Sequence, residues 1–554
     1  MERNLDGEPY YLNTEERKSI INQIDNEMNQ ASDEALWGKP ASDIITRIES
    51  MENAKSARAI WEMVQNARDI SKKAGVNIEF SLNNNEFVFR HNGLPFTATS
   101  LNALNIQTSS KVRDDIAQVG QYGTGFLTTH KFGLKFNLKG SLELCNRTKY
   151  FDFDGLSFDR SPRDKKSMID NLKVQQSNIK HMCTNPENVK HLKNAPREFT
   201  TFRYRQEHDI ERERAREAFE QAQNLTPHVL ALNGLINSIC YRDETTGKES
   251  SFIRQPIRVI EENDLYTFSM VETHISRNYD EGKLLPREYD YQIYMLESTQ
   301  KEERTGSNMV TVILPLMKET VEVERIHLFR FHPNIPNFFI YLPLLGTENW
   351  GVNFLFHSPA FTCADESRSS LRFVGNGQNN DTQADQNREI IKLGENMIFS
   401  FIETHLDQFT DRKMFTFVNI NKDVGNPKLS DYLKEKKHFW VDKMNDYNLV
   451  RSSSEEGKYV KPSSIFGLSR EMIDEGYRNP SFLDAVYHML MTKYADRLPA
   501  KEELLFWSDR IMEWYDGDVE NKHVFTVQDV INLIKEKNDI TTLGRENLLG
   551  SSAI

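Results

Sequence analysis

A chain of 554 residues with 38% hydrophobic and 27% charged side chains has the composition of a folded protein, and its length fits three or four domains rather than one core. The formal charge of −13 excludes a surface that coats nucleic acid non-specifically, because such binding needs Lys and Arg to neutralise phosphates. No apolar run reaches membrane length, the N-terminal MERNLDGEPYYLNTEERKS is polar from its start, and Cys145, Cys183, Cys240 and Cys363 form no C-x-x-C pair. The expectation is a cytoplasmic protein with no membrane span, zinc site or disulfide framework.

Residues 1–40 read as a polar arm, and Pro40 and Ser42 precede a helix that carries Ile44, Ile45, Ile48 and Met51. Ala54 to Ala74 is rich in helix formers without interior Gly or Pro, and Gly75 follows as a stop. Val76, Ile78, Phe80 and Leu82 then alternate with polar residues, Asn83 to Asn85 supply a turn, and Phe87 and Phe89 resume the alternation, which predicts a β-hairpin. After His91-Asn92-Gly93 come a helix around Leu101 to Ile106, the polar stretch QTSSKVRDD, and the glycine loop VGQYGTGF at Val119 to Phe126. Strand-like pieces follow at Leu134 to Leu138, Leu142 to Cys145 and Tyr150 to Phe153. Residues 157–197 are a charged, mostly helical insertion suited to a lid or a docking surface, before FTTFRY at 199–204 restores a strand. A charged helix from Asp209 to Gln223 leads to β-rich runs at 251–260, 266–275, 290–296, 309–316 and 338–345. From Met397 the pattern is largely helical, with Tyr487, Leu490, Leu504, Trp507, Ile511 and Trp514 as core candidates.

Two features carry chemistry. Glu62, Asn66 and Asp69 sit at i, i+4 and i+7 of the first long helix, within roughly 60° of one another around its axis, so they form one polar stripe. Ile60, Met63, Val64 and Ala67 supply apolar anchoring to a sheet. The second feature is Gly120-Gln121-Tyr122-Gly123-Thr124-Gly125, which lets backbone approach a ligand and opens into a helix-like Phe126 to Lys131. Backbone N–H groups at such a start suit a phosphate. The loop lacks the Rossmann order of strand, glycines and distant acid, and the chain contains no G-x-x-x-x-G-K-[ST].

In this combination and order the residues resemble the GHKL ATPases (heat-shock chaperone, gyrase, histidine kinase, mismatch-repair). Glu62, Asn66 and Asp69 resemble that family's N-box, His91-Asn92-Gly93 stands where its D-x-G adenine motif belongs, VGQYGTGF is close to the chaperones' glycine loop, and Thr200 in FTTF resembles the threonine completing the adenine pocket. A narrower similarity, to prokaryotic and sacsin-type members, rests on HNGLPF, on TSSK and on PLLGTENWGVNFLFHSPAF. The resemblance implies an α+β fold: an arm at 1–40, a two-layer α/β sandwich nucleotide domain at 41–205, a transducer-like α/β domain at 206–396 and a mainly helical region at 397–554. It further implies ATP and Mg²⁺ as cofactors, with Asn66 ligating the metal, Glu62 positioning and deprotonating water, and backbone N–H groups of Gly123 to Phe126 holding phosphate. Lys111 would close over the phosphates, and Arg368 is the candidate basic residue reaching the γ-phosphate from the transducer. One departure is His91 in place of the adenine-reading aspartate. A neutral imidazole with an acceptor nitrogen suits adenine's exocyclic amine, with Asp69 or Thr200 and water, while guanine stays open as an alternative base.

Slow hydrolysis that drives lid closure around a homodimer is what the family implies, in a chaperone-like or antiviral-defence switch, with a protein partner at the C-terminal region. A protein histidine kinase is disfavoured, because Glu62 is present and no histidine precedes His91. The standing alternative is a non-catalytic nucleotide-binding module that scaffolds a partner.

Overall fold

The computed structural model describes residues 34–50, 55–106, 125–144, 148–185, 192–280, 286–515 except 304, 320–324, 349, 365–368, 375–381, 410, 421–425 and 456, then 524–536, with isolated positions from 15 to 28. The chain divides into two compact units, one of residues 1–255 and 273–291, the other of 256–272 and 292–554.

In the first unit, α1 (Lys39–Ser50) and α2 (Ala57–Asp69) precede β1 (Val76–Leu82) and β2 (Glu86–His91), then α3 (Ala98–Ile106) and a 3-10 helix (Gly125–Phe132). There follow β3 (Lys135–Leu144), β4 (Lys149–Asp159), α4 (Lys165–Thr184), β5 (Thr200–Arg205), α5 (Asp209–Leu232), β6 (Ile236–Asp243) and β7 (Lys248–Arg254). The strand order is β7-β6-β1-β2-β5-β3-β4. Only the β1–β6 pair is parallel among these neighbours.

The alternation read in the sequence sets the two faces. Val76, Ile78, Phe80 and Leu82 are buried while the residues between them are half-buried, so one face packs and the other is wetted. The packed face is aromatic: Phe80 stacks on Phe89 at 5.3 Å and on Tyr241 at 5.5 Å, and Phe219 of α5 meets Tyr241 edge-on at 5.2 Å. On the wet face, charges pair across strands, as in Arg90–Glu79 at 2.7 Å and Arg203–Glu86 at 3.1 Å. The result is a mixed α/β layer arrangement compatible with the expected α+β class.

Two local details differ from the sequence reading. The strand pieces at 134–138 and 142–145 are one strand, β3, whose register with β4 shifts between Leu138 and Gly140, so a bulge accounts for the broken alternation. The first long helix ends at Asp69 rather than Ala74. The Ile70 carbonyl is taken by the Leu94 N–H at 2.8 Å, so a contact from the turn after β2 ends the helix before the Gly75 stop.

The second unit contains β8 (Arg258–Glu262), most of β9 (Tyr266–Arg277) and β10 (Glu288–Ser298), then β11 (Thr311–Leu314), β12 (Leu316–Glu319), β13 (Arg325–Leu328), β14 (Phe338–Ile340), β15 (Leu342–Pro343) and β16 (Leu355–His357). Its longest helices are α6 (Thr382–His405) and α7 (Pro427–Asp446). Tyr487, Leu490, Leu504, Trp507, Ile511 and Trp514 are all buried, as their spacing predicts. No helix among the described residues is long and apolar enough to cross a membrane.

Candidate functional site

Helix α2 presents the polar stripe. Its apolar side is fully sequestered through Ile60, Met63, Val64 and Ala67, and Ser56 at its start donates to Glu217 of α5 at 3.3 Å. Glu62 is 9% exposed, and Asn66, one turn on, is half-buried. Asp69 has a fully buried side chain with Arg68 Nη1 at 3.4 Å.

The glycine at the start of the 3-10 helix lies directly on this stripe. A Cβ added to Gly125 would stand 2.8 Å from Glu62 Oε1 and would overlap Oε2, so the absence of a side chain at 125 is what lets the Glu62 carboxylate reach the backbone. Phe126 then turns inward, meeting Phe136 edge-on at 5.8 Å, while the hydroxyls of Thr128 and Thr129 donate to the carbonyls of Gly125 and Phe126, each at 2.6 Å.

At the other end of α2, the His91-Asn92-Gly93 turn is stitched to the helix terminus. Asn92 Oδ1 accepts from the Asn77 N–H at 2.7 Å, the Asn92 N–H donates to the Asn77 carbonyl at 3.3 Å, and Leu94 N–H donates to Ile70 as described. A Cβ on Gly93 would lie 2.9 Å from the Ile70 carbonyl oxygen and 3.2 Å from His91 Nδ1. Glycine is therefore required by close approach here too.

His91 and Thr200 face each other across β2 and β5, which puts both side chains on one face of the sheet. Both are buried, and the imidazole lies 5.4 Å from the Phe89 ring and 6.2 Å from that of Phe202. Burial, reinforced by Lys72, lowers the His91 pKa to about 4, so the ring is neutral at pH 7. Its Nδ1 accepts from the Gly93 N–H at 3.3 Å. With Nδ1 so occupied the ring proton sits on Nε2, and that edge is a hydrogen-bond donor. The acceptor nitrogen expected of His91 for adenine's exocyclic amine is thus already taken by the Gly93 N–H, and the imidazole does not receive that amine.

The sequence candidates thus divide. Glu62, Asn66, Asp69, Gly125 and Phe126 gather along α2 and the 3-10 helix, and His91, Asn92, Gly93 and Thr200 gather at the end of α2 and the β2–β5 pair. Lys111, Gly120, Gln121, Tyr122, Gly123, Thr124 and Arg368 lie outside the described residues. Sequence reasoning missed Arg58, whose Nη2 stands 3.6 Å from Glu62 Oε1; the signal was its i,i+4 spacing to Glu62 on a helix. It also missed Lys72, which acts on His91 only through the fold.

Comparison with known proteins adds little. No family model matches the chain, and no curated protein matches it. Two solved structures that do match are of the ATPase region of Saccharomyces cerevisiae topoisomerase II, one of them bound to ICRF-187 (dexrazoxane), at 13% and 12% identity. Each match covers 39% of this chain and 58% of the other, with a TM-score of 0.21. The chain therefore spans less than two thirds of those structures, and superposition this poor carries no inference about the site.

The donor set can be weighed on its own chemistry. Among the described residues no cluster of three or more His, Cys, Asp or Glu side chains could hold a metal by itself. Mg²⁺ needs no such cluster: it commonly takes one or two protein oxygens and completes its shell with water and phosphate. The Asn66 carbonyl oxygen fits that sparse requirement, and the approach of Gly125 backbone to Glu62 leaves no side chain at 125 in the way of a phosphate.

Proposed function

We propose that the first unit binds ATP with Mg²⁺ and hydrolyses it slowly. The observation that carries this reading is the packing of the Gly125 backbone on the Glu62 carboxylate, with Asn66 one helical turn further on and the His91–Gly93 turn tied to the end of the same helix. An acid, a carbonyl donor and bare backbone are thereby held along one rigid helix, the arrangement that positioning of water, metal and phosphate needs. In this reading Asn66 holds Mg²⁺ and Glu62 deprotonates water, a role worth about 10²- to 10⁴-fold in rate. Mg²⁺ held at Asn66 would supply neutralisation of the phosphate charge. Asp69, His91, Asn92, Gly93 and Thr200 shape the base pocket. Lys111, Gly120 to Thr124 and Arg368 complete the phosphate contacts as the family resemblance implies, and closure around nucleotide joins two copies of the chain. A chaperone-like or defence-associated switch, with residues 397–554 engaging a protein partner, is the role proposed for that cycle.

The ion pair between Arg58 and Glu62 favours a second reading, in which Glu62 only braces α2 and nucleotide is bound without turnover. Glu62→Ala separates the two. The hydrolase reading expects ATP affinity close to wild type and turnover at least about tenfold slower, measured by calorimetry and phosphate release on the same preparations. Unchanged turnover in the variant would overturn the general-base assignment.

A further inference from the structure

The helix α4 belongs to the charged insertion for which the sequence offered no definite role. It holds two elements that lie apart in the chain. One is the last turn of α3: the Asn105 side chain, fully buried, donates through Nδ2 to the Leu172 carbonyl at 3.1 Å. The other is the 3-10 helix that begins at Gly125, because Leu127 forms a buried cluster with Met168 and Leu172 of α4 and with Ala41 and Ile44 of α1.

At the centre of this arrangement is Arg160, just after β4 and fully buried. Its Nη1 donates to Gln175 Oε1 of α4 at 2.9 Å, and its Nη2 donates to the carbonyls of Leu104 and Asn105 at 3.3 and 2.6 Å. Those carbonyls are the negative end of α3, a favourable place for a cation. Gln175 is held in turn, donating to the Asp159 carbonyl at 3.2 Å and to Asn171 Oδ1 at 3.1 Å. A buried guanidinium whose hydrogen bonds go to neutral acceptors is a costly way to gain stability, whereas its planar fork fixes two elements at a set angle and distance.

We propose that Arg160 is a positioning residue of the nucleotide site: by locking the last turn of α3 to α4, which itself packs on Leu127, it sets where Gly125 stands against Glu62. This rests on the nucleotide reading for its consequence, but its structural half does not. The Arg160 side chain bonds to Gln175 and to the carbonyls of Leu104 and Asn105 and to no residue assigned to the nucleotide site, so its loss acts on that site through the packing of α4 on Leu127.

The experiment uses the full chain with Arg160→Met, Arg160→Lys and Gln175→Glu. Hydrogen exchange without nucleotide reads the brace, with helix Thr382–His405 as the internal reference for folding. Calorimetry with Mg-ATP reads the site. Arg160→Met is expected to exchange about tenfold faster at 101–106 and 127–132 and to bind Mg-ATP at least about fivefold more weakly. Arg160→Lys should recover part of both, and Gln175→Glu, which keeps an acceptor for the guanidinium but sets an oxygen against the Asp159 carbonyl and Asn171 Oδ1, should quicken exchange at both places. Faster exchange with unaltered affinity would make Arg160 a structural staple only and overturn the proposal, as would unaltered exchange. Should Arg160→Met fail to fold, Arg160→Lys and Gln175→Glu decide through the same two readouts. A wild-type chain that binds no ATP would remove the nucleotide reading, and the exchange measurements would still decide whether Arg160 joins α3 to the 3-10 helix.

Discussion

Gly125→Ala is the sharpest perturbation of the site, because its cost has one identifiable source. Gly125 is not among the positive-φ glycines, so alanine meets no left-handed backbone strain, and the three atoms nearest the new methyl among the described residues all belong to the Glu62 carboxylate, with Oε1 at 2.8 Å and Oε2 overlapping it. That carboxylate is the far end of a flexible side chain and can withdraw by rotating, at the price of an off-rotamer geometry of order 0.5–1.5 kcal/mol. Its withdrawal is constrained by burial and by Arg58, so a stability loss of about 1 kcal/mol is expected. Displacing the proposed base by ~1 Å should cost far more in rate, about 10²-fold, with ATP affinity changed much less. The assay is a double-mutant cycle with Glu62→Ala, following denaturant unfolding and turnover. With Glu62 truncated the methyl has room, so Gly125→Ala should be nearly neutral for stability in that background. If its destabilisation is the same in both backgrounds, within about 0.5 kcal/mol, the steric reasoning fails.

Gly93→Ala differs in kind, since its methyl meets the Ile70 carbonyl oxygen at 2.9 Å, a backbone atom that cannot swing away; a loss of about 1–3 kcal/mol is expected in denaturant unfolding. For the base, His91→Asp should keep or sharpen preference for ATP over GTP and His91→Leu should weaken both discrimination and binding, read by competition binding; no change in either variant would leave His91 a turn residue. Stability should also fall with acid: burial lowers the pKa of His91 to about 4, of His130 to about 3 with Arg160 adding, and of His228 to about 4. All three folded values lie below the unfolded one, so the unfolded chain binds protons first, and stability, full above pH ~6.5, should decline towards pH ~4 by up to about 1.4 kcal/mol per unit for each histidine. Urea unfolding across that range, with His91→Gln giving a shallower slope than wild type, checks it.

Much of the first unit was readable from residues alone. The alternation of Val76 to Leu82 and of Phe87 and Phe89 predicted β1, β2 and the buried face, and the Glu62-Asn66-Asp69 spacing predicted a single stripe on α2. Tertiary effects were not readable. Nothing local tells that Ile70's carbonyl is claimed by Leu94, so helix propensity alone carried α2 to Ala74. A bulge between Leu138 and Gly140 hides a continuous strand because the two-residue period slips there. The tautomer of His91 is set by Gly93 and its protonation by burial and Lys72, and Arg160 gave no signal because its partners come from elements before and after it.

The turn that carries His91 is fastened by three bonds, Asn77 N–H to Asn92 Oδ1, Asn92 N–H to the Asn77 carbonyl and Leu94 N–H to the Ile70 carbonyl. Two of the three are main chain at both ends, and the imidazole adds only the long contact from the Gly93 N–H within the turn. The mount and the side chain it presents are therefore separable. A different residue at 91 would change what the pocket offers a base without loosening the join between sheet and helix, so selectivity can be retuned at this one position while the Glu62–Gly125 end of α2 stays as it is.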